Sequence, residues 1–404
     1  MSTSPRARRL ITITAWLVGF HVLLAYGLPE GVFIGSVLVL ALAYWRIGAV
    51  GAVFTSVMLV ALTVFYGLAL KVTGLDERIY YRPDERYASF DYARNHRVFA
   101  PNIDVVAQMP HGDLRALTTT EIAEPRRIAF RTDAAGFRND RDYRGQRYVL
   151  VGDSFVAGTG NSHEQVLVSQ LRADHGVDAY SLAYNGGDLA DYAAYLRGFR
   201  ARHGDDARAL LFLFEGNDFE TTRVRNAGWL ARSGKRYYRL FADFNTYRVT
   251  MTLWKRFTRT PAAEGFGVDI MSLAGKPVAF YKPYVAVTER ARLDEVAGFE
   301  SVLESMRPFI DRVYFIPTKY RVYHRQVAPG TALPNAQWEY LDGLCRKHAL
   351  PCTNLTGPLT RAADAALKDG ELLWWRDDTH WNRAGIAVAA RVVAADLKTP
   401  GSGR

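Results

Sequence analysis

A long apolar run covers residues 10–70 and carries only two charges, Glu30 and Arg46. One membrane-spanning helix needs about 20 apolar residues, so this run predicts three transmembrane helices, divided at Pro29-Glu30 and at Arg46. The arginines before the run favour a cytoplasmic N-terminus, and three crossings then place the remaining chain outside. We therefore expect residues 1–71 to anchor the protein in the inner (cytoplasmic) membrane as a multi-pass segment.

The exterior domain predicted by three crossings would lie on the periplasmic or extracellular side. A hairpin of two helices, with the third apolar stretch buried in protein, is the alternative reading of residues 10–70. That hairpin would return the chain to the cytoplasm, so the number of helices decides the compartment of the rest of the chain.

Beyond residue 72 the pattern of apolar and polar positions is typical of a soluble α/β protein. Short apolar runs predict buried strands at residues 147–151, 177–182, 209–214 and 313–317. Amphipathic stretches predict helices at residues 163–174, 188–202, 289–306, 337–348, 359–368 and 383–397. This alternation indicates a parallel sheet covered on both faces, with a site at the carboxyl ends of its strands. Residues 72–129 show little periodicity and are expected to be an irregular lead-in packed on a domain of residues 130–404.

Residues with the chemistry of acyl transfer follow three of the predicted strands and precede the last helix. Ser154 follows the first strand, Gly186 the second and Asn217 the third, and Asp377 and His380 lie just before the final helix. Together they supply a hydroxyl nucleophile, an imidazole base, an orienting carboxylate and donors for an oxyanion. A Gly-Asp-Ser turn alone is common, but the complete set beside element ends indicates serine-dependent ester chemistry.

These segments resemble the sequence blocks of the SGNH/GDSL family of serine esterases and acyltransferases. The resemblance covers about residues 130–397, apart from 220–290, and implies a parallel-sheet, three-layer, flavodoxin-like domain. It also implies roles for the residues already singled out. The nucleophile would be Ser154, the base His380 and the orienting carboxylate Asp377, and the oxyanion hole would combine the amides of Ser154 and Gly186 with the side chain of Asn217.

Two assignments within the resemblance stay open. The second block reads Ser181-Leu-Ala-Tyr-Asn185 where the family has a hydrophobic-Asn-Leu-Gly lead, so Gly187 is the alternative to Gly186. The stretch Asp378-Thr-His380-Trp381 is similar to one in polysaccharide O-acetyltransferases of the alginate type, whose carboxylate precedes the histidine by two residues. Esterases with this order of blocks use a spacing of three, which favours Asp377 over Asp378.

Two further segments, residues 132–138 and 316–319, are similar to segments of membrane-attached members of the same family. The first lies just upstream of the Ser154 block, and the second ends the predicted strand at 313–317. Both therefore support the membrane-attached type within the resemblance.

Composition excludes several other classes of protein. Of the 404 residues, 49% are hydrophobic and 23% are charged, which excludes disordered and fibrous chains. Two cysteines are too few for a disulfide scaffold or a four-thiolate zinc site. In an oxidising compartment Cys345 and Cys352 could form one bridge, and two buried thiols are the alternative. The sequence carries no metal-binding or phosphate-loop motif, so we expect neither a metal nor a cofactor.

A basic and aromatic segment, residues 223–259, comes after the Asn217 block within a predicted insertion at about 220–290. It carries ten lysines and arginines against one acid, Asp243, and they alternate with aromatic residues. At the mouth of the site such a surface could hold an anionic polysaccharide or rest on anionic lipid headgroups. A solvated helix pair whose aromatic residues pack on the domain is the alternative. Nucleic acid fits the charge but not an exterior compartment, so it is not an expected partner.

Taken together, these patterns predict a membrane-anchored serine ester hydrolase or O-acyltransferase. Its substrates would be acyl esters of cell-envelope or extracellular carbohydrate, or another small ester, and both reactions would pass through an acyl-serine. Membrane lipid is the partner expected for the N-terminal helices. A transferase would also require a separate multispanning partner for the acyl donor, because three helices are too few to form the donor channel. The alternative is a non-catalytic glycan-binding domain on an SGNH scaffold.

Overall fold

The computed structural model describes residues 82–91, 96–118, 120–219, 267–293 and 296–398, together with single residues between 42 and 73. Within this described part, no helix is both long and apolar enough to span a membrane. Apart from those single residues, the predicted membrane helices lie outside it, and so does the basic segment 223–259. The chain divides into two compact units, and the larger comprises residues 81–224 with 261–404.

The strands among the described residues of the larger unit form one parallel sheet and three antiparallel pairs. In chain order they are β1 (Ala88–Asp91), β2 (His96–Phe99), β3 (Asp104–Met109), β4 (Arg126–Arg131), β5 (Tyr148–Val151), β6 (Ala179–Ser181), β7 (Arg208–Phe214), β8 (Val268–Leu273), β9 (Lys276–Tyr281), β10 (Ile310–Ile316) and β11 (Cys352–Asn354). The parallel sheet has the order β11-β10-β7-β5-β6. The antiparallel pairs are β1–β2, β3–β4 and β8–β9. The fold is therefore α/β with a parallel sheet, as predicted.

Helices follow most strands of the parallel sheet. In chain order they are α1 (Pro83–Arg86), α2 (Asp113–Leu117), α3 (Ser154–Ala157), α4 (Leu167–His175), α5 (Leu189–His203), α6 (Lys282–Thr288), α7 (Phe299–Met306), α8 (Lys319–Val327), α9 (Ala336–Lys347), α10 (Thr356–Ala366) and α11 (Arg383–Lys398). Helix α4 packs against α11, and α5 packs against α7. Short 3₁₀ turns lie at His163–Gln165, Arg307–Phe309 and Leu367–Asp369.

The core of the unit lies around β5 and β7, two of the three inner strands of the parallel sheet. All four residues of β5 are buried, and so are the last six of the seven residues of β7. Because successive side chains of a strand point to opposite faces, this burial shows that both faces of the sheet are covered. Apolar runs without alternation are what such a sheet requires, which explains why these strands could be predicted.

The predicted strands at 147–151, 177–182, 209–214 and 313–317 correspond to β5, β6, β7 and β10. The prediction of one helix over residues 289–306 is wrong in its first part, since α7 begins only at Phe299. The residue before it, Gly298, has a φ of 79°, a left-handed conformation that favours glycine and interrupts a helix. The irregular lead-in of residues 72–129 also contains β1–β3, α1, α2 and the start of β4.

The two cysteines form a disulfide bridge, the first of the two alternatives left by the sequence. Cys345 lies near the end of α9 and Cys352 begins β11, and their Cα atoms are 6.2 Å apart. The bridge therefore ties helix α9 to the edge strand of the parallel sheet.

Candidate active site

Ser154 lies where strand β5 ends and the short helix α3 begins. The preceding Asp153 caps this helix, since its Oδ1 accepts a hydrogen bond of 2.9 Å from the Phe155 amide. Gly158 ends the helix with a φ of 76°, and a Cβ at this position would lie only 2.4 Å from Val166 Cγ1. Ser154 is half-buried, so its hydroxyl is held on a rigid turn and still lies at the surface of the site.

The imidazole of His380 bridges Ser154 and Asp378. Its Nε2 lies 2.7 Å from Ser154 Oγ, and its Nδ1 lies 2.7 Å from Asp378 Oδ1. A carboxylate can only accept, so Nδ1 carries the proton and donates it to Asp378. The Ser154 hydroxyl then donates to Nε2. This is the arrangement in which a serine can lose its proton to a base.

The two residues that follow His380 fix this segment in place. Trp381 Nε1 donates a hydrogen bond of 3.1 Å to the Phe155 carbonyl, which joins this segment to the turn of Ser154. Asn382 Oδ1 accepts from the Ala384 amide at 2.9 Å and so caps helix α11. The chain is thus fixed to the nucleophile turn just after the imidazole, and the last helix begins directly behind it.

The prediction that Asp377 orients His380 is wrong, because the structure pairs the imidazole with Asp378. Asp378 Oδ1 also accepts from the backbone amide of His380 at 3.1 Å, so the two-residue spacing lets one oxygen bind both groups. Asp377 instead faces the lead-in segment. Its Oδ2 accepts from the amides of Gly112 at 2.6 Å and Glu124 at 2.7 Å. Asp377 therefore fastens the loop, and Asp378 holds the ring.

Arg126, the first residue of β4, connects both aspartates. Its Nη2 donates to Asp378 Oδ2 at 2.7 Å, and its Nη1 donates to Asp377 Oδ1 at 3.1 Å. The guanidinium also lies over the ring of Trp375, 4.3 Å from its centroid, and donates from Nε to the Gly160 carbonyl. The sequence analysis did not single out this residue. The lead-in is rich in charged residues and has little periodicity, so no local pattern distinguishes a buried arginine from an exposed one.

The charges around the ring set the protonation of the pair. Burial alone would raise the pKa of Asp378, but the hydrogen bond and charge of His380 and the charge of Arg126 hold that pKa well below its usual range. Burial alone would lower the pKa of His380, yet the hydrogen bond to Asp378 and the negative charges of Asp378 and Asp113 raise it. The carboxylate therefore stays ionised, and the imidazole is a stronger base than usual.

A second carboxylate, that of Asp113 in α2, lies beside the same ring. Its Oδ2 is 3.5 Å from His380 Nδ1, and its Oδ1 accepts from the Thr379 amide at 2.8 Å. Asp113, Asp378 and His380 could each offer one atom to a metal ion within a 4.8 Å cluster. Both ring nitrogens already bind, however, Nε2 to Ser154 and Nδ1 to Asp378. The arrangement suits proton transfer from a serine better than metal ligation.

The residues predicted for the oxyanion hole follow three neighbouring parallel strands, β6, β5 and β7. Gly186 is exposed with a φ of 67°, and a Cβ there would meet no atom within 4 Å. A Cβ at Gly187 would lie 2.9 Å from the Tyr192 ring. Asn217 is half-buried, and its buried Oδ1 has no hydrogen-bond partner among the described residues. All three segments end at the same edge of the sheet, the edge where α/β proteins bind ligands.

Buried aspartates fix two of these turns. Asp218 Oδ2 accepts from the Phe214 amide at 2.7 Å, and its Oδ1 accepts from the Tyr192 hydroxyl at 2.8 Å, which closes the turn that carries Asn217. Asp84 Oδ2 accepts from Asn185 Nδ2 at 2.5 Å, directly before Gly186. The donors expected for an oxyanion are therefore held by backbone turns that are themselves tied to buried carboxylates.

The segments at residues 132–138 and 316–319 each supply a buried cation, Arg138 and Lys319, that binds backbone oxygens. Arg138 is buried and donates to the carbonyls of Ala157 at 3.1 Å, Gly158 at 2.8 Å and Asn161 at 3.1 Å, the loop after Ser154. Lys319 donates from Nζ to the Ala279 carbonyl at 2.7 Å and to the Trp375 carbonyl at 3.0 Å. Burial lowers the pKa of Lys319 to about 8. Both cations bind backbone oxygens and serve as clamps.

No protein-family model matches the chain, and no curated protein is significantly similar to it.

Proposed function

We propose that the protein is an SGNH-type serine ester hydrolase or O-acyltransferase. The single observation that carries this proposal is the hydrogen-bonded chain from Ser154 Oγ through His380 to Asp378, with both links at 2.7 Å. Such a chain at the carboxyl edge of a parallel sheet has one well-understood use, the activation of a serine as a nucleophile. Asp378 replaces Asp377 in this assignment.

In the first half of the reaction Ser154 Oγ attacks the carbonyl carbon of an ester, and His380 Nε2 takes the hydroxyl proton. The Nδ1 proton stays with the imidazole and remains hydrogen-bonded to ionised Asp378. The carbonyl oxygen becomes an oxyanion, which the amides of Ser154 and Gly186 and the side chain of Asn217 stabilise. The intermediate then collapses, the C–O bond to the alcohol breaks, and the alcohol leaves with the proton from His380.

In the second half the acyl-serine is resolved by the same base. His380 removes a proton from the attacking hydroxyl, the new C–O bond forms, and the proton returns to Ser154 Oγ as the acyl group leaves. Water as the attacking group gives hydrolysis, and a sugar hydroxyl gives acyl transfer. The two outcomes share every group of the site, so the acceptor and not the triad decides between them.

The proposed substrates are acyl esters of cell-envelope or extracellular carbohydrate. The apolar N-terminal segment supports a membrane anchor with lipid as its partner, and the disulfide bridge supports an oxidising exterior compartment. The spacing Asp378-Thr-His380 supports the polysaccharide-acylating type. As a transferase, the protein would receive its acyl groups through a multispanning partner.

The proposal is tested with the purified full-length protein and a chromogenic acetyl ester, with and without an oligosaccharide acceptor. Ser154→Ala should lose the activity by a factor on the order of 10³ or more, whereas Ser301→Ala, an exposed serine, should keep it. Mass spectrometry then distinguishes acetate alone, an esterase, from acetylated sugar, a transferase. Full activity in Ser154→Ala would refute the proposal. A wild-type protein that binds glycan but cleaves no ester would support the non-catalytic alternative.

A further inference from the structure

Asp113 and the catalytic segment hold each other by reciprocal hydrogen bonds. The Thr379 amide donates to Asp113 Oδ1 at 2.8 Å, and the Thr379 hydroxyl donates to Asp113 Oδ2. In return the Asp113 amide donates to Asp378 Oδ2 at 3.2 Å. The residue between the two triad members is thus fixed by Asp113, which itself is only 4% exposed.

The contact between Asp113 and the imidazole is one of charge and not a second hydrogen bond. His380 Nδ1 already donates to Asp378 at 2.7 Å, whereas Asp113 Oδ2 lies at 3.5 Å, beyond a normal hydrogen bond. Opposite charges at such a distance attract more strongly in a buried site than in water. An imidazolium formed on His380 would therefore face two carboxylates.

The charged and titratable groups that face Asp113 come from four segments. Asp378 and His380 precede α11, Arg82 precedes α1, Lys319 begins α8 and Tyr284 belongs to α6. Burial and the charge of Asp378 raise the pKa of Asp113 to about 6, so this carboxyl group is ionised at neutral pH and becomes neutral in mild acid.

We propose that Asp113 is a positioning residue for the acyl-transfer reaction, which fixes Thr379 and stabilises the imidazolium of His380 as a second carboxylate. This role rests on the proposed function. When His380 Nε2 takes the proton of Ser154, the ring becomes positive while its Nδ1 proton stays hydrogen-bonded to Asp378. Asp113 neither accepts nor donates a proton in this step. It lowers the energy of the charged state through its own negative charge.

The variant Asp113→Asn removes the negative charge of the side chain and keeps its shape and its capacity for hydrogen bonds. An asparagine can still accept from the Thr379 amide, and its Nδ2 can donate to the Thr379 hydroxyl, which is also an acceptor. The matched control is Asp104→Asn, because Asp104 is an exposed carboxylate on β3 paired with Arg131 at 3.0 Å. Asp113→Ala removes charge and hydrogen bonds together and shows, by comparison, what the hydrogen bonds contribute.

Two readouts of the full-length variants test the inference. In Asp113→Asn, kcat for the acetyl ester should fall about tenfold with KM little changed, which corresponds to about 1.4 kcal/mol of transition-state stabilisation. In a plot of kcat/KM against pH, the fall in activity on the acid side (the acid limb) should move to lower pH, because the loss of a negative charge lowers the pKa of His380. Asp104→Asn should match the wild type in both. An unchanged kcat and an unchanged acid limb in Asp113→Asn would overturn the inference.

The second readout is the titration of the His380 ring by NMR of ¹³C-labelled imidazole carbons, with the resonance assigned through His380→Gln. This measurement does not require ester turnover. A titration midpoint lower in Asp113→Asn than in the wild type supports the coupling, and an identical midpoint refutes it. If the wild type cleaves no ester, the proposed function fails, while the titration still decides whether Asp113 acts on His380.

Discussion

Among single residues, the site depends on which of two adjacent aspartates faces the imidazole. Asp378 lies two residues before His380, and its Oδ1 accepts hydrogen bonds from both the backbone amide and the ring of His380. Asp377 points to the other side and accepts hydrogen bonds from the lead-in segment and from Arg126. Two identical side chains therefore differ in role because their neighbours differ.

This difference predicts unequal effects of two matched substitutions. Asp378→Asn should lower kcat/KM by about 10³–10⁴-fold, because the imidazole loses the acceptor that fixes its tautomer and stabilises its charge. Asp377→Asn should cost less than about tenfold in rate and should mainly lower the melting temperature, because it weakens a buried ion pair with Arg126. Steady-state kinetics and thermal unfolding of both variants check the prediction. The reverse order of the two rates would restore Asp377 as the orienting residue.

The same pair predicts a direction in the pH dependence. The base must be neutral to accept the proton of Ser154, so activity should fall as the pH drops through the pKa of His380. Asp378 raises that pKa. The remaining activity of Asp378→Asn, measured as a function of pH, should therefore fall at a lower pH than the activity of the wild type. A limb at the same pH in both proteins would show that Asp378 does not act on the ring.

Among the helices and strands, the inner strands and the turns after them are the elements that the sequence predicts. Strands β5 and β7 are buried on both faces, so their apolar runs stand out without any alternation. The turns that carry Ser154 and Asn217 come directly after such runs, and the turn with Gly186 follows the edge strand β6, which is why these candidates could be named. The strand expected to begin at Cys352 is the edge strand β11, although its three residues are only half-buried and carry no apolar run.

The lead-in elements show what local patterns cannot reveal. Asp113 in α2 binds Thr379, 266 residues away, and Arg126 in β4 binds Asp378 across 252 residues. Neither element has a hydrophobic periodicity that would predict burial. A polar side chain can be buried here because a residue distant in the sequence supplies its hydrogen-bond partner. Gly112 adds a backbone contact of the same kind, since a Cβ there would lie 2.3 Å from the Asp377 carbonyl oxygen. Such contacts belong to the tertiary fold alone.

In the molecule as a whole, one chain carries both an apolar N-terminal segment and a site suited to serine-dependent chemistry. The predicted three crossings would place the domain outside, where acylated envelope carbohydrate is found. We therefore expect that a reporter enzyme that works only in the exterior compartment will be active when fused after Arg404. Activity of a cytoplasm-specific reporter in the same fusion would indicate two crossings, and the substrate class would have to be sought inside the cell.

The proposed function requires that Ser154 carry the acyl group between two alcohols or between an alcohol and water. Mass spectrometry of the peptide that contains Ser154, after rapid acid quench of the full-length protein during turnover of an acetyl ester, tests this requirement most directly. We predict an acetyl group on Ser154 that disappears once the ester is exhausted and never forms in Ser154→Ala. Steady turnover with Ser154 unmodified, or an acetyl group on a different residue, would contradict the proposal.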